Sequence, residues 1–178
     1  MVVSTVSTKQ KTIKCRTRDD VLFEVPFDVI IQSRKFKQLY NELQVSAGDG
    51  STFEFPMPAV PGHIFKEVIR FCAQRRGSPE PVIEREPPAM TVKWFVFNEF
   101  EQQFLKSKSM NELSEIWVAA RYLDVKSLDL FISQEIAARL VEVLGDDQKV
   151  HDLLGEPDDM TEEEKDKIRR ENAWLNFC

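Results

Sequence analysis

The amino-acid sequence predicts an α+β fold, in which a three-stranded sheet packs with helices and a helical extension follows. Alternating apolar residues over 11–16, 21–25 and 53–57 indicate three short strands. Apolar residues three and four positions apart indicate helices through the second half of the chain. A stretch at 75–93 rich in proline and charge separates the two parts, and it predicts an exposed, mobile loop.

Length and composition limit the classes to which the protein can belong. With 178 residues and 42% hydrophobic residues, the chain suits one domain with an appendage. A formal net charge of −6 without grouped Lys and Arg argues against nucleic-acid partners. No apolar run approaches the roughly 18 residues that would span a bilayer, so we expect no membrane partner and no secretory signal. Three widely spaced cysteines predict free thiols in the cytoplasm or nucleus.

The first part of the chain predicts a β-hairpin, a helix, a third strand and a second helix. The hairpin turn falls at 18–20, where Asp tolerates a left-handed backbone. Ser33 is expected to cap the first helix, and a loop follows at 47–51. Pro56 places the third strand at an edge or at its end. Pro61 fits the first turn of the next helix.

Helix starts in the second half are marked by capping residues. Ser109 with Glu112, and Thr161 with Glu164, are capping boxes, in which a hydroxyl and a carboxylate satisfy each other's backbone N–H groups. Asp146 can cap a short helix between them. The helices predicted here run over 110–123, over 127–141, over a short segment ending near 154, and after 161.

The helix predicted over 110–123 has two apolar faces. They lie roughly opposite each other, one formed by Leu113, Ile116, Trp117 and Ala120, the other by Val118, Tyr122 and Val125. Two such faces indicate either a central helix packed on both sides, which we favour, or one face for the core and one for a partner.

The last helix is almost wholly polar but ends in apolar groups. Its large apolar residues are Ile168, Trp174, Leu175 and Phe177. This stripe is too thin to bury the helix in a core of its own, and a chain terminus frays unless something holds it. The groups either fold back on the domain or wait for a partner. We expect the partner, with Trp174 as the main contact.

The sequence carries no recognisable catalytic or metal-binding pattern. His63 and His151 stand alone, and there is no paired-cysteine motif or Gly-rich phosphate loop. Cys72 lies on an apolar helix face, where cysteine behaves as a small hydrophobe. The acidic run at 162–164 suits a solvated helix start better than a metal site. We therefore expect a protein that is not an enzyme, with no catalytic residue, metal or cofactor.

Four segments together resemble the Skp adaptor family of SCF (Skp–cullin–F-box) ubiquitin ligases. They are Phe23-Glu-Val25, Pro56-Met-Pro58-Ala-Val60 with the helix after it, Ala119-Ala-Arg-Tyr-Leu-Asp-Val-Lys126 and Arg169-Arg-Glu-Asn-Ala-Trp174. Their order and spacing hold from about Ile13 to Trp174, which is nearly the whole chain. The chain therefore resembles a divergent member of this family.

The resemblance implies a domain organisation and a function. A BTB/POZ-like domain is expected over 11–142, after a disordered segment over 1–10. F-box-binding helices are expected over 143–178. The implied function is that of a non-catalytic adaptor, which links an F-box substrate receptor to a cullin scaffold in an E3 ubiquitin ligase of the cytoplasm and nucleus.

The resemblance also implies which residues contact each partner. On the F-box side these are Leu154, Met160, Ile168, Asn172, Trp174 and Leu175; on the cullin side they are Val118, Arg121 and Tyr122. Some positions depart from the family pattern. Leu154 and Met160 replace Phe, and Glu156 replaces Ile, which puts that contact in doubt. Ala59 and Arg121 each replace Asn, so Arg121 either alters cullin preference at the rim of the contact or points to water.

The main alternative is a self-associating structural or scaffold protein of BTB type. In that case the face formed by Val118 and Tyr122 makes a homodimer instead of binding a cullin. Both interpretations use the same apolar face, so the sequence leaves the choice open and allows a dual role.

Overall fold

The three predicted strands form one sheet. A computed structural model of the chain describes residues 11–46, 53–89 and 91–174. Strand β1 (Thr12–Thr17) lies in the middle, antiparallel to β2 (Leu22–Pro26) and parallel to β3 (Glu54–Met57). Strand β3 is an edge strand, where Pro56 does not need to donate to a ladder. The predicted fold class is confirmed.

The turn between β1 and β2 has the predicted left-handed residue. Asp20 has φ 63°, a conformation that Asp tolerates. The neighbouring Asp19 carboxylate accepts a hydrogen bond from the Thr17 hydroxyl at 2.6 Å and one from the Gly62 N–H at 2.9 Å. The Thr17 bond is the main reason why the pKa of Asp19 is lowered. The turn is thereby attached to the start of the helix that follows β3.

Six helices of the described chain lie between residues 27 and 143. They are α1 (Phe27–Ile30), α2 (Arg34–Ser46), α3 (Gly62–Gln74), α4 (Glu99–Lys106), α5 (Met110–Leu123) and α6 (Lys126–Val143). Helix α5 has its predicted bounds, and Ser109 with Glu112 forms the predicted capping box. Two helices, α1 and α2, stand where the sequence predicts one helix after the hairpin, and Ser33 lies between them.

Ser33 connects the start of α2 to the end of α5. Its hydroxyl oxygen accepts a hydrogen bond from the Phe36 N–H at 3.1 Å, which confirms the predicted cap. The same hydroxyl donates to the Leu123 carbonyl, and the Arg34 N–H donates to the Asp124 carbonyl at 3.1 Å. Because Ser33 is only 2% exposed, these bonds replace water contacts that the buried groups would otherwise lack.

Aromatic rings fill much of the core in two groups. Phe36 lies at the centre of the first group, against rings of α1, α2 and the β3 segment. Phe131 of α6 lies at the centre of the second, with Phe71, Phe95 and Phe97 around it at centroid distances of 5.0–6.1 Å. The dense aromatic stretch before α4 therefore serves the core, since two of its rings cover α6.

The stretch predicted as one exposed loop at 75–93 contains ordered contacts. Strands β4 (Arg85–Glu86) and β5 (Thr91–Val92) pair antiparallel within it. At its start the Arg75 side chain is 12% exposed and forms an ion pair with Glu101. The four strand residues are exposed, as predicted, but they are paired and do not form a loop. Exposure was predicted wrongly at Arg75, because the buried carboxylate of Glu101 on α4 requires a cationic partner. The predicted mobility stays a prediction, and the predictions for 1–10 and 47–51 lie outside the described residues.

Residue contacts divide the chain into two compact units. The first runs over Met1–Ala138 and the second over Arg139–Cys178, so the boundary falls within α6. The predicted domain division after residue 142 stays a prediction. Among the described residues, no helix is both long and apolar enough to cross a membrane.

Replacing Ser33 by alanine should destabilise the first unit. We expect Ser33→Ala to lower the free energy of unfolding by about 1–3 kcal/mol, because it removes a helix cap and leaves a buried carbonyl without its donor. Urea denaturation followed by circular dichroism measures this loss. Ser114→Ala, at an exposed position of α5, is the control and should change stability by less than about 0.5 kcal/mol. Equal effects of both variants would contradict the role given to Ser33.

Candidate protein-binding surfaces

Two short helices carry the second unit, α7 (Asp147–Leu154) and α8 (Glu162–Glu171). The Asp146 carboxylate accepts from the Lys149 N–H at 3.2 Å at the start of α7. At the start of α8, the Thr161 hydroxyl accepts from the Glu164 N–H at 3.3 Å, and the Glu164 carboxylate accepts from the Thr161 N–H at 2.9 Å. The bond from the Thr161 N–H, and a second that the Thr161 hydroxyl donates to the same carboxylate at 2.8 Å, lower the pKa of Glu164. Both predicted caps are confirmed.

Polar contacts also hold the segment between α7 and α8. The Asp158 carboxylate accepts from the Lys165 ammonium group and, at 3.3 Å, from the Met160 N–H. His151 Nε2 lies 3.9 Å from the same carboxylate. The Lys165 hydrogen bond is the main cause that lowers the pKa of Asp158. We call these three side chains (His151, Asp158 and Lys165) the α7–α8 clasp.

The described apolar residues that are predicted to contact an F-box are exposed. Neither α7 nor α8 has a buried residue. The predicted F-box contacts are exposed by 41% at Leu154, 39% at Met160, 46% at Ile168 and 68% at Trp174. Met160 and Ile168 lie together on the wall of an open groove of 290 Å³, whose other wall residues include His151 and Lys165 of the clasp. Leu154 and Trp174 do not line this groove.

Asn172 has a structural role beside its predicted contact. It ends α8, and its side-chain amide donates to the Ile168 carbonyl at 2.9 Å. Asn172 therefore fixes the direction in which the chain leaves the helix toward Trp174. Glu156, the position that departs from the family pattern, is exposed. Leu175 lies outside the described residues.

The second candidate surface is the outer side of α5. Leu113, Ile116 and Ala120 are buried in the core, as expected for the first apolar face. On the opposite face Val125 is buried, but Val118 is 62% exposed. The favoured interpretation of a helix packed on both sides is therefore wrong at Val118, because no element of the described chain covers that part of α5.

Two cations lie over aromatic rings at this surface. The Arg121 guanidinium carbon is 5.1 Å from the centroid of the Trp117 ring, so Arg121 does not simply point to water. The Trp117 indole N–H donates to the Asp129 carboxylate at 2.8 Å, which fixes the ring. The Lys35 ammonium nitrogen is 3.3 Å from the centroid of Tyr122. Lys35 was not predicted, since it is far away in sequence on α2.

A groove next to this surface brings one sequence departure, Ala59, beside the exposed Val118. It encloses 350 Å³, and Ala59 and Val118 both line it, with Ala119, Ile64 and Pro61. His63 and Glu115 stand on its rim, with His63 Nε2 3.7 Å from a Glu115 carboxylate oxygen. We call this groove and the residues around it the α5 surface, with Ala59, Trp117, Val118, Arg121, Tyr122 and Lys35 as its members.

The described residues offer little reactive chemistry. Among them, no three or more His, Cys, Asp and Glu side chains gather in a way that could hold a metal ion. Burial raises the pKa of Cys15 and of Cys72 to about 12, so neither thiol ionises near neutral pH. The conspicuous features are exposed apolar side chains framed by charge, which typically mark contacts with other proteins.

Comparison with known proteins gives these surfaces a context. Residues 147–175 match the model of the Skp1 family, dimerisation domain, which covers α7, α8 and Trp174. The chain is 28% identical to a Skp1-related protein of Caenorhabditis elegans, over 93% of this chain and 92% of the relative. It is 25% identical to an S-phase kinase-associated protein 1 homolog of Tetrahymena thermophila, over 91% and 92%.

The name of a fungal relative identifies that protein as a subunit of a complex. The chain is 29% identical to the E3 ubiquitin ligase complex SCF subunit sconC of Aspergillus flavus, over 92% of this chain and 95% of the relative. The fold and surfaces define a protein-binding α+β module with a C-terminal helical unit. The comparisons confirm its resemblance to the Skp family.

The α7–α8 clasp should restrain the segment that carries Met160. We expect Lys165→Gln to raise the pKa of Asp158 toward the ordinary carboxyl range and to speed amide hydrogen exchange over 156–161. NMR titration and hydrogen-exchange mass spectrometry measure these effects. Lys167→Gln, at an exposed position of α8, is the matched control and should change neither quantity. An unchanged exchange rate in Lys165→Gln would mean that the ion pair does not restrain the segment.

The sign of the pH dependence follows from the direction of the shift. Because the pKa of Asp158 is lower in the folded chain than in the unfolded chain, the pair stabilises the fold above the ordinary carboxyl pKa. That contribution should be lost as the pH falls through the folded pKa, so wild-type exchange at 156–161 should approach that of Lys165→Gln in acid.

Proposed function

We propose that this protein is an adaptor subunit of an SCF-type E3 ubiquitin ligase, which links an F-box protein to a cullin scaffold. The observation that carries the proposal is the exposure of Trp174, 68% accessible at the end of a helix without buried residues. An exposed Trp is costly to leave in water and typical of an interface anchor. The SCF subunit name of the fungal relative supports this assignment.

The second unit is the proposed F-box-binding surface. Four of its apolar residues, Leu154, Met160, Ile168 and Trp174, are each at least 39% exposed. The Asp146 cap, the Thr161 capping box and the clasp order the backbone around them without using these side chains. The free chain therefore keeps its apolar groups available, and binding would bury them at a small cost in ordering the backbone.

The α5 surface is the proposed cullin-binding surface. Val118 offers an exposed apolar group next to an open groove, and the half-buried Tyr122 lies one turn farther along α5 under Lys35. Arg121 and Ala59 differ from the Asn residues of the family pattern, and both belong to this surface. We infer that these two positions alter which cullin is preferred, since charge and shape at the rim of a contact affect partner choice.

The proposed mechanism is positional and involves no catalysis by this chain. By holding a substrate receptor on one unit and a scaffold on the other, the adaptor would raise the effective concentration of the substrate at the ubiquitin donor. Its residues need to bind and orient, and no side chain has to react. We expect the protein to act in the cytoplasm and nucleus, where cysteines remain reduced.

Removal of Trp174 should weaken F-box binding without unfolding the free chain. We expect Trp174→Ala to cost about 2–4 kcal/mol of binding free energy, which is roughly a 30- to 1,000-fold loss of affinity. Calorimetry with an isolated F-box measures the affinity, and a thermal melt of the free variant measures stability. If stability falls as far as affinity, Trp174 belongs to the core of the protein and the proposed role is wrong.

A charge at Val118 should block the cullin side alone. We expect Val118→Asp to reduce binding of a cullin N-terminal fragment by about tenfold or more, because an unpaired carboxylate would have to be desolvated. F-box affinity should stay at the wild-type value, as cullin affinity should in Trp174→Ala. Val96→Asp, at a position 93% exposed, is the control for added charge. Equal loss of cullin binding in both variants would overturn the assignment of this surface.

The self-associating alternative predicts a different result for the purified protein. Size-exclusion chromatography with light scattering should give a monomer that takes up both an F-box and a cullin fragment. A stable homodimer that the cullin fragment cannot divide, with no uptake of an F-box, would overturn the adaptor assignment in favour of a scaffold.

A further inference from the structure

Two rows of side chains run side by side along the α5 surface, and the aromatic ring of each row lies under a cation. Trp117 and Arg121 form one row at i, i+4, and Val118 and Tyr122 form the next. Arg121 lies over the indole of its own row, at 5.1 Å, and Lys35 of α2 lies over the ring of Tyr122, at 3.3 Å. Each cation is held in place by the face of an aromatic ring.

Lys35 and Arg121 have no ion-pair partner in the described chain, unlike several charged groups around them. Among the described residues, no carboxylate lies within the 4.0 Å ion-pair distance of Lys35 or Arg121. Arg34, next to Lys35, is already paired with Glu80. The Asp129 carboxylate is engaged by Trp117. Lys35 and Arg121 therefore keep their capacity to donate hydrogen bonds to an incoming group.

The sign of this local charge is opposite to that of the chain. The formal net charge is −6, so an acidic partner would be repelled by the molecule as a whole. At this surface, Lys35 and Arg121 have no anionic partner in the described chain, while the Glu115 carboxylate stands beside His63 on the rim of the groove. A carboxylate arriving here would gain charge-assisted hydrogen bonds of a kind that most of the surface cannot offer.

The adjacent groove sets the shape of the remaining contact. It lies between Ala59 and Val118 and encloses 350 Å³, enough for one large apolar side chain. A side chain longer than that of Ala59 would project into this space. Val118 lines the groove and lies one helical turn before Tyr122, whose ring Lys35 covers, so one short polypeptide segment can reach both.

We propose that the α5 surface selects a cullin segment in which an apolar anchor residue is flanked by carboxylates. The anchor occupies the groove beside Ala59 and Val118, and the carboxylates meet Lys35 and Arg121. This inference rests on the proposed function, and it adds the chemistry of the partner. Lys35 and Arg121 then determine specificity, because a cullin without the acidic flank leaves both cations desolvated and unpaired.

Charge reversal tests the proposal with a cullin N-terminal fragment as the probe. The double variant Lys35→Glu with Arg121→Glu should bind about 10- to 100-fold more weakly than wild type at low salt. The difference should shrink between about 50 and 300 mM salt, because salt screens exposed charges. Lys37→Glu, exposed two residues farther along α2, is the control for added negative charge and should bind within about twofold of wild type.

Two further variants keep the test independent of folding. Ala59→Leu fills the groove without a change of charge, and it should weaken binding equally at both salt concentrations. Reversal of an acidic residue in the cullin fragment to Lys should restore binding to the double variant, which a misfolded chain could not show.

The outcomes separate this inference from the proposed function. If wild type does not bind the fragment, the cullin half of the proposed function is wrong and the inference fails with it. If wild type binds, but the double variant binds as well as Lys37→Glu does, the inference is wrong while the proposed function stands.

Discussion

The hydrogen bonds of Ser33 join two parts of the chain on which the binding surface depends. They fix the first turn of α2 against the last turn of α5, in a buried place where water cannot replace them. Lys35 follows two residues later, so the same junction determines where its ammonium group lies over Tyr122. One buried hydroxyl thus connects the packing of the core to the electrostatics of the outer side of α5.

Features that depend on local sequence were predicted well. The capping boxes at Ser109 and Thr161 form as expected, because all their donors and acceptors lie within four residues of each other. The bounds of α5 follow from one such box and from its apolar period. The exposure of Trp174 was also foreseeable, since a polar helix offers no apolar face of its own that could cover it.

Features that depend on distant residues could not be predicted. The sequence predicts that Val118 and Val125 belong to one apolar face, but only Val125 is buried. The burial of each residue depends on which neighbouring elements cover it. Arg75 begins a stretch of loop-like composition, but its side chain is only 12% exposed because it pairs with the buried Glu101 of α4. Lys35 over Tyr122 joins two helices that are far apart in sequence, and no periodic pattern reports such a pair.

The lack of buried residues in α7 and α8 has an evolutionary consequence. Substitutions in these helices disturb little hydrophobic packing, so selection for a stable fold restrains them weakly. Residues 147–175 nevertheless match the family model, so the pattern of these two helices reflects a constraint other than the packing of a core.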